Sequence, residues 1–436
     1  MGGKIVRISN LENLGIEWTA LVGERLGALE KAARNGSRFL VVDCSDLVDA
    51  MAWIITSFYV SKICAVPISN KLSTEAKRIL LQNLPEKELC YSDCLEKMAA
   101  SVPIQHKSLE ECWTVIFSSG STGLAKGVAI SGSALHFSAH VHGKHFERFA
   151  PKNWLLQIPL FHIGGFSILS RAFFLDTEII VDSATNFWWE NDQIEAISVV
   201  PTHLYRWLGL EHIHQRLQKL KIILLGGSAV NSELQNMIET YSLPVFKTYG
   251  MTENCSQLAT ELGSGQGLWP LSGVFLRISN GKEIQVKSNA LASGYYQGGS
   301  FYPLPRDDGW FSTSDLGVLN ESGLQIHGRK SDLMISGGLN VFPAEIENLK
   351  TFLTGISDLA ISCTPDKEWG ERIGAIVILQ SPAPFVPELW KQQLAKRIDV
   401  RKIPKDWVIV TEIPKTENGK IKREEIKKIL ADKVSK

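Results

Sequence analysis

Short apolar runs alternate with amphipathic segments along the first half of the chain. The strand-like runs lie at residues 39–42, 114–117, 178–181, 197–200 and 222–225. The segments with helical spacing lie at residues 18–34, 131–145 and 232–241. Continuous runs of Val, Ile and Leu are typical of strands buried on both faces. Because such strands alternate here with helices, the pattern predicts doubly wound α/β sheets.

The pattern changes from about residue 270 onward. The stretches "VFLRIS", "KEIQVK" and "LQIHG" alternate apolar and polar positions between Gly, Asn and Asp residues, which predicts an antiparallel, distorted β-barrel. After Arg329 the pattern predicts a helix at 343–353 and strands near 359–363 and 374–379. We therefore expect a large N-terminal domain, residues 1–328, and a small α+β C-terminal domain, residues 329–436.

Charge and hydropathy argue against some classes of binding partner. Lys and Arg together number 46, as do Asp and Glu, so no net field favours a nucleic acid or an anionic membrane. The Lys-rich tail at 420–436 has helical spacing and indicates a solvated helix face. The most apolar window, residues 50–68, contains Lys62 and predicts a buried helix followed by a strand rather than a membrane span.

The cysteine pattern and the N-terminus indicate a cytoplasmic protein. The chain has seven cysteines and no C-x-x-C pair, which argues against a disulfide scaffold and a zinc ribbon. The opening "MGGKIVRISN" lacks the apolar core of a signal peptide. His136, His140, His142 and His145 lie close together on a predicted helix, but no carboxylate or cysteine completes a ligand set, so we predict no metal there.

The stretch "SSGSTGLAKG" at 118–127 has the composition of a phosphate-binding loop. Its glycines let backbone N–H groups turn toward one anion, hydroxyls add donors, and Lys126 adds a positive charge. We expect the loop to follow a strand and precede a helix. It is neither a Walker A loop nor a nucleophile elbow, because the residue after Lys126 is Gly127 and Gly120 and Gly123 are three apart. On its own, such a stretch is equally typical of a flexible loop.

Further motifs follow in a fixed order. They are "YGMTE" at 249–253, "GWFSTSDLG" at 309–317, "GRKSDLMISGG" at 328–338 and "PKTENGKIKR" at 414–423. With the phosphate loop, this order resembles the adenylate-forming superfamily, which contains acyl-CoA synthetases, adenylation domains of peptide synthetases and luciferases. The resemblance covers most of the chain after residue 110. It implies an enzyme that activates a carboxylic acid with ATP and Mg²⁺ and passes the acyl group to CoA.

The resemblance also implies roles for single residues. Lys126, Thr252, Glu253 and Lys420 would be catalytic, with Glu253 holding Mg²⁺ and Lys420 reaching the acyl-phosphate linkage. The ATP-binding residues would be Ser118, Ser119, Gly120, Ser121, Thr122, Gly123, Gly226, Gly227, Ser228, Tyr249, Gly250, Asp315 and Arg329. Tyr249 would stack on adenine, and Asp315 would accept hydrogen bonds from the ribose hydroxyls. Taken singly, Asp315 is also typical of a turn, Glu253 of a helix cap and Lys420 of a solvated face.

The small domain has a departure from the family pattern. Ser331 stands where the family usually has Asp or Lys as the hinge between two domain orientations. Serine tolerates varied backbone angles, so we expect rotation to remain possible. In the second orientation the family resemblance places Gly337 and Gly338 along the CoA tunnel.

Within the superfamily the chain is most similar to the o-succinylbenzoate–CoA ligases of menaquinone and phylloquinone biosynthesis. The similarity rests on "PLFHIGGFSILSRAFFL" at 159–175, "VVPTHLYRWL" at 199–208 and "LLGGSAV" at 224–230. That acid has two carboxylates, so its pocket needs a cation for the one that is not activated. Arg206 is the candidate cation, although a surface arginine is an equally good interpretation. Ser256, Gln257 and His162 are the other candidate acid-binding residues, and His162 is also typical of a packed core histidine.

Other functions stay open at this point. One alternative is a CoA ligase for another aryl or acyl acid. Another is a stand-alone adenylation domain, whose acceptor is a carrier protein. A nucleotide-binding protein without catalysis is the non-enzymatic alternative, although Lys126, Glu253, Asp315 and Lys420 are all present. The expected partners are small molecules, no nucleic acid, and a second copy in a homodimer as an open alternative.

Overall fold

The computed structural model of the chain describes residues 4–7, 16–96, 98, 107–119, 125–175, 177–181, 188–415 and 421–434. The strands up to residue 261 are β1 (Lys4–Arg7), β2 (Phe39–Asp43), β3 (Cys64–Ile68), β4 (Leu89–Tyr91), β5 (Cys112–Ser119), β6 (Ala125–Ser131), β7 (Asn153–Leu155), β8 (Glu178–Val181), β9 (Ala196–Val199), β10 (Ile222–Leu225), β11 (Val245–Met251) and β12 (Ser256–Glu261). The α-helices of this part are α1 (Ile16–Arg34), α2 (Leu47–Ser57), α3 (Thr74–Leu81), α4 (Gly132–Phe146), α5 (Ile163–Phe174), α6 (Pro201–Leu208), α7 (Glu211–Gln218) and α8 (Ser232–Thr240).

Strands dominate the rest of the described chain. They are β13 (Leu268–Pro270), β14 (Phe275–Ile278), β15 (Glu283–Lys287), β16 (Gly294–Gln297), β17 (Ser300–Pro303), β18 (Phe311–Asn320), β19 (Gly323–Arg329), β20 (Met334–Ser336), β21 (Leu339–Val341), β22 (Ile356–Asp366), β23 (Gly370–Leu379) and β24 (Asp406–Ile409). The helices are α9 (Pro343–Glu347), α10 (Pro387–Ala395) and α11 (Arg423–Val434).

Two large sheets form the part of the chain before residue 330. In the described residues the first sheet has the order β1-β8-β7-β9-β10-β11-β12-β13-β19-β18-β15-β14, and the second has the order β17-β16-β6-β5-β3-β2-β4. Strands β8, β7, β9, β10 and β11 are parallel, as are β4, β2, β3 and β5. Both sheets then continue with antiparallel strands. The predicted α/β architecture with an antiparallel, barrel-like part is confirmed.

A shared core holds the two sheets together. It contains buried residues of β2, β3, β5 and β6 from the second sheet, of β7 and β8 from the first, and of helices α2, α4 and α5. Trp113 is fully buried in this core and stacks on Phe58 at a ring separation of 4.6 Å. Each such aromatic residue contributes roughly 1.5–3 kcal/mol by leaving water. None of the described helices is long and apolar enough to cross a membrane.

The segment after residue 333 has its own sheet, in which β21, β20, β23, β22 and β24 pair. Its core includes the fully buried Trp390. The helix predicted at 343–353 is shorter, because α9 ends at Glu347 and a 3₁₀ turn, Lys350–Phe352, follows. This turn directs Leu353 into the core of the segment, and such burial outweighs helix propensity. The division at residues 328 and 329 stays a prediction.

Candidate active site

The candidate residues of the first sheet gather at one edge. Strands β7, β9, β10 and β11 run parallel, so the chain leaves all of them on the same side. The segments that follow include His162 after β7, Gly226, Gly227 and Ser228 after β10, and the residues 249–253 at the end of β11. The carboxyl edge of a parallel sheet is where open α/β folds bind ligands.

Glycines shape the backbone at this edge. A Cβ atom on Gly250 would lie 1.7 Å from the carbonyl oxygen of Ser256, so only glycine fits where β11 approaches β12. The chain between these strands forms the turn Thr252–Asn254, and Cys255 and Ser256 have φ values of 50° and 97°. This left-handed backbone conformation is unfavourable for residues other than glycine, and such strained residues cluster at functional sites. It presents Thr252 and Glu253 half-buried at the edge of the sheet.

The phosphate loop joins two antiparallel strands, which corrects the expectation of a strand followed by a helix. Strand β5 ends at Ser119, and β6 begins at Ala125 with Ser118 opposite Lys126. Helix α4 starts only after β6. The predicted loop residues Gly120, Ser121, Thr122 and Gly123 lie outside the described residues.

Tyr295 connects the phosphate-loop lysine to the predicted magnesium ligand. The Nζ of Lys126 lies 5.1 Å from the centre of the Tyr295 ring. The Tyr295 hydroxyl donates a hydrogen bond of 3.1 Å to Oε1 of Glu253. Burial, together with the nearby Glu253 carboxylate, raises the pKa of Tyr295 well above its usual value, so this hydroxyl stays protonated and remains a donor.

Sequence reasoning missed Tyr295. It lies on β16, which pairs with β6 and places Tyr295 opposite Val128. The available signal was the dipeptide Tyr295-Tyr296 in a short alternating run, but its position beside β6 depends on a pairing between distant segments. No local pattern reports such a pairing.

A second cluster lies at the opposite end of the residues 249–253. The hydroxyl of Tyr249 donates a hydrogen bond of 2.6 Å to Oδ2 of Asp315. Strands β18 and β19 place Asp315 opposite Arg329, whose Nε lies 3.5 Å from Oδ1 of Asp315. Tyr249 and Asp315 are largely buried, and Arg329 is half-exposed. Three of the predicted ATP-binding residues therefore contact one another, although they come from separate strands.

Gln257 differs from its prediction as a residue that touches the acid. Its side chain is 2% exposed, and its amide nitrogen donates a hydrogen bond of 2.9 Å to Oγ1 of Thr260. Its Oε1 lies 2.6 Å from Nδ1 of His142 and accepts a hydrogen bond of 2.9 Å from Arg171. Because an amide oxygen only accepts, Nδ1 of His142 carries the proton. Burial lowers the pKa of His142 well below its usual value, so this histidine is neutral.

Arg171 is a buried cation, and no carboxylate among the described residues pairs with it. The residue is 4% exposed, and among the described residues its Nε and Nη1 atoms have no hydrogen-bond partner. Burial lowers its pKa to about 9, so it stays charged at neutral pH. An unpaired charge away from water is costly and is a recurrent sign of a functional site. Sequence reasoning missed Arg171, and the signal was a single arginine in an otherwise apolar helix.

The remaining candidates lie in accessible positions or outside the described chain. Arg206 is exposed on α6, and His162 precedes the first turn of α5. Ser331 is exposed in the turn Lys330–Asp332, where its hydroxyl bonds the side chain of Asp332 at 3.2 Å. Gly337 and Gly338 have φ values of 55° and 76°. Lys420 lies outside the described residues.

The four histidines of α4 point in different directions. The rings of His136 and His140 are 4.1 Å apart, whereas His142 bonds Gln257 and His145 bonds the carbonyl of Glu261 at 2.9 Å. His140 and His142 line a cavity of about 640 Å³ with Arg171 and Lys152. The cavity extends toward the amino edge of the sheet, because Lys152 immediately precedes β7. Arg171 also reaches the other side, because it donates a hydrogen bond to Gln257, which lies opposite Gly250 in the sheet.

Comparison with known proteins matches both parts of the chain to families. A family described as AMP-binding enzyme matches residues 36–296, and the AMP-binding enzyme C-terminal domain matches residues 345–420. The chain is 31% identical to the 2-succinylbenzoate–CoA ligase of Geobacillus kaustophilus over 354 residues, which are 74% of this chain and 70% of that protein. It is 29% identical to the ligase of the same name from Listeria monocytogenes over 391 residues, covering 83% and 82% of the two chains.

Solved structures show the same fold. The o-succinylbenzoate CoA synthetase (MenE) of Bacillus subtilis in complex with an acyl-adenylate, OSB-AMP, superposes with a TM-score of 0.83 at 24% identity, covering 98% of this chain and 95% of that one. The same enzyme in complex with ATP and a magnesium ion gives a TM-score of 0.81 at 25% identity, with coverages of 98% and 97%.

Proposed function

Because the chain belongs to the AMP-binding enzyme family, we propose that it is an ATP-dependent acid–CoA ligase, with o-succinylbenzoate as the acid. A carboxylate oxygen attacks the α-phosphorus of ATP, and pyrophosphate leaves. The sulfur of CoA then attacks the acyl carbonyl, and AMP leaves. The names of the relatives, 2-succinylbenzoate–CoA ligase, support this acid and a place in menaquinone biosynthesis.

The single observation that carries the proposal is the contact of Lys126 and Glu253 through Tyr295. Lys126, with Thr252 and the loop 118–123, binds the β- and γ-phosphates. Tyr295 occupies one oxygen of Glu253, and a half-exposed carboxylate is a ligand that Mg²⁺ prefers. When bound there, Mg²⁺ supplies positive charge to the phosphates. Tyr295 orients Glu253 for this contact, as the outer partners of metal ligands do.

The nucleoside binds at the other end of the residues 249–253. The ring of Tyr249 and the turn of Gly226, Gly227 and Ser228 hold the adenine. Asp315 accepts hydrogen bonds from the ribose hydroxyls, and the Tyr249 hydroxyl fixes the orientation of its carboxylate. Arg329, opposite Asp315 in the sheet, partly balances that negative charge. The residues that bind the nucleoside and those that bind the phosphates both lie on the segment 249–253. The backbone of this segment therefore sets the distance between the two binding positions.

Arg171 binds the carboxylate of the acid that is not activated. A fixed guanidinium pairs well with a carboxylate. Within the described parts of the chain, Nε and Nη1 of Arg171 have no hydrogen-bond partner, which supports this choice over the exposed Arg206. Gln257 acts by holding Arg171, because its Oε1 accepts from Nη2. Ser256 and His162 remain proposed neighbours of the acid at the carboxyl edge of the sheet.

The small C-terminal segment serves both half-reactions. Lys420 provides a cation for the acyl-phosphate linkage during adenylation. A rotation at Ser331 then brings Gly337 and Gly338 beside the CoA thiol. We place the enzyme in the cytoplasm, in agreement with seven cysteines that include no C-x-x-C pair. A homodimer is a further proposal, which light scattering tests.

The test is a set of reactions with ATP, Mg²⁺ and CoA across a panel of acids. Pyrophosphate release reports adenylation, and mass spectrometry reports the thioester. The panel contains o-succinylbenzoate, benzoates, medium and long fatty acids, and amino acids. We expect a CoA thioester of o-succinylbenzoate and little product from the others.

The outcomes separate the alternatives. Thioesters of fatty or simple aryl acids would retain the reaction and reject the acid. Pyrophosphate release without a CoA thioester would favour a carrier protein as acceptor. No reaction with any acid, while ATP binds, would favour a nucleotide-binding protein without catalysis.

A further inference from the structure

The strand that carries Asp315 is irregular at that residue. Three residues of β18, 313–315, lie opposite a single residue of β15, Ile284, because the register between the two strands shifts there. Such a bulge interrupts the hydrogen-bond ladder of the sheet and redirects the side chains around it. The position of the Asp315 carboxylate therefore depends on what holds this bulge.

The backbone of the bulge has a conformation that needs support. Ser314 has a φ value of 63°, in the left-handed region that residues other than glycine rarely adopt. A residue keeps such a conformation only when the surrounding structure holds it. Because Ser314 directly precedes Asp315, its backbone angles determine the direction in which the Asp315 side chain points.

Side-chain oxygens accept the hydrogen bonds of the N–H groups of Ser314 and Asp315. Oε1 of Glu283 accepts a hydrogen bond of 3.0 Å from the N–H of Ser314. Oγ1 of Thr313 accepts one of 3.1 Å from the N–H of Asp315 and donates one of 2.8 Å to the carbonyl oxygen of Ile284. A hydrogen bond from an N–H to a carboxylate is charge-assisted and is stronger than one between neutral groups. Glu283 therefore provides the stronger of the two supports.

The surroundings of Glu283 keep its carboxylate in place. Its side chain is 15% exposed, and its other oxygen, Oε2, lies 3.5 Å from Nζ of Lys330. The side chain of Lys330 is 64% exposed, and an ion pair with such an exposed partner contributes little to stability. The hydrogen bond from Ser314 is thus the contact through which Glu283 acts on the site.

We propose that Glu283 is a positioning residue for the nucleoside. Its carboxylate holds the backbone at Ser314, and this backbone orients the carboxylate of Asp315 toward the ribose hydroxyls. The inference rests on the proposed role of Asp315 in binding ribose. Tyr249 and Arg329 contact the Asp315 carboxylate directly, whereas Glu283 acts on it through the backbone.

The test compares the dissociation constants of MgATP and of its 2′,3′-dideoxy analogue, measured by titration calorimetry on the full-length chain. The analogue lacks the hydroxyls that Asp315 would bind, so the ratio of the two constants reports the ribose contact alone. For the wild type we expect MgATP to bind roughly 10–150-fold more tightly, as the loss of a charge-assisted hydrogen bond predicts. Glu283→Ala should weaken binding of MgATP by roughly tenfold and leave binding of the analogue unchanged.

Three further variants provide the comparison. Glu283→Gln retains an oxygen that accepts from the N–H of Ser314, so it should keep most of the preference for MgATP. Gln285→Ala is the matched control, because it removes a hydrogen bond of 2.9 Å to Ser312 within the same pair of strands; it should leave both constants unchanged. Asp315→Ala removes the ribose carboxylate itself and should lose the preference.

A change at Ser314 tests the route through the backbone. Glycine adopts left-handed backbone angles without strain, so Ser314→Gly in the Glu283→Ala background should restore part of the preference for MgATP. If the folded double variant showed no recovery, the backbone at Ser314 would be excluded as the link between Glu283 and Asp315.

Two results for a folded Glu283→Ala variant would also overturn the proposal. One is an unchanged preference for MgATP while Asp315→Ala loses it. The other is an equal loss of affinity for both nucleotides, which would indicate a general weakening of the strands. If Asp315→Ala itself kept the full preference, the proposed ribose contact would be wrong, and the role of Glu283 would be rejected with it. Circular dichroism checks that each variant is folded.

Discussion

Replacing Arg171 with methionine should stabilise the fold while it removes recognition of a second carboxylate. Burial lowers the pKa of Arg171 to about 9, which at about 1.4 kcal/mol per pH unit corresponds to a cost of about 5 kcal/mol. Methionine fills a similar volume without a charge but loses the hydrogen bond to Gln257, worth about 1–3 kcal/mol. We therefore expect Arg171→Met to raise the free energy of unfolding by about 2–4 kcal/mol.

The stabilisation that Arg171→Met produces should depend on pH. Arg171 has a lower pKa in the folded chain than in the unfolded chain, so the unfolded chain binds more protons above about pH 9. The cost of the buried charge is thus fully present below about pH 9 and shrinks as the pH rises further. Urea unfolding followed by tryptophan fluorescence should give a constant gain for Arg171→Met from pH 6 to 8 and a smaller gain at pH 10.

Activity provides the second measurement. Loss of a charge-assisted hydrogen bond of about 1.5–3 kcal/mol should lower kcat/KM for o-succinylbenzoate by roughly 10–150-fold. The analogue 3-benzoylpropionate lacks the aromatic carboxylate and should be used equally well by variant and wild type. Arg206→Met is the matched control on the neighbouring helix. The reasoning would be refuted if Arg171→Met were less stable than the wild type and still preferred o-succinylbenzoate over 3-benzoylpropionate to the same extent. If Arg206→Met instead lost activity with o-succinylbenzoate alone, Arg206 would again be the candidate cation.

Three further variants test other parts of the site. Tyr295→Phe should raise KM for MgATP by roughly tenfold, because one hydrogen bond to the Glu253 carboxylate is lost; Mg²⁺ titrations check this, and an equal change in Tyr296→Phe would contradict it. Gly250→Ala should abolish pyrophosphate release and lower the thermal midpoint, because the new Cβ would lie 1.7 Å from a backbone oxygen; normal activity would exclude the observed turn from the active enzyme. Lys420→Ala should impair adenylation far more than thioester formation from supplied acyl-adenylate, and equal losses in single-turnover assays would remove its proposed role.

The fold was predictable where local patterns and tertiary structure agree. The apolar run predicted as a strand at 222–225 forms β10 with the same bounds. Its local pattern and its burial on both faces favour the same structure. The family resemblance, drawn from ordered motifs, is confirmed by the match over residues 36–296. The strand that follows the phosphate loop was missed, since residues 125–131 are followed directly by α4 and share its apolar character.

The acid pocket was less predictable, and the physical reason is burial. Gln257 follows the motif "YGMTE" closely enough to suggest contact with substrate, yet its side chain is enclosed by His142 and Arg171. Whether an arginine lacks a counter-charge depends on every residue around it, so no spacing along the chain identifies Arg171. The sequence favoured Arg206 because it lies in a recognisable motif. Its exposure, which distinguishes it from the buried Arg171, is visible only in the three-dimensional structure.

Tyr295, which contacts both Lys126 and Glu253, lies where the two large sheets meet. Lys126 and Tyr295 belong to the second sheet, and Glu253 lies between two strands of the first. A triphosphate bound by both Lys126 and Glu253 would therefore link the first sheet to the second. Its binding free energy would resist their separation and raise the energy of any partial opening. Hydrogen exchange in the shared core, far from the nucleotide, should slow when ATP binds.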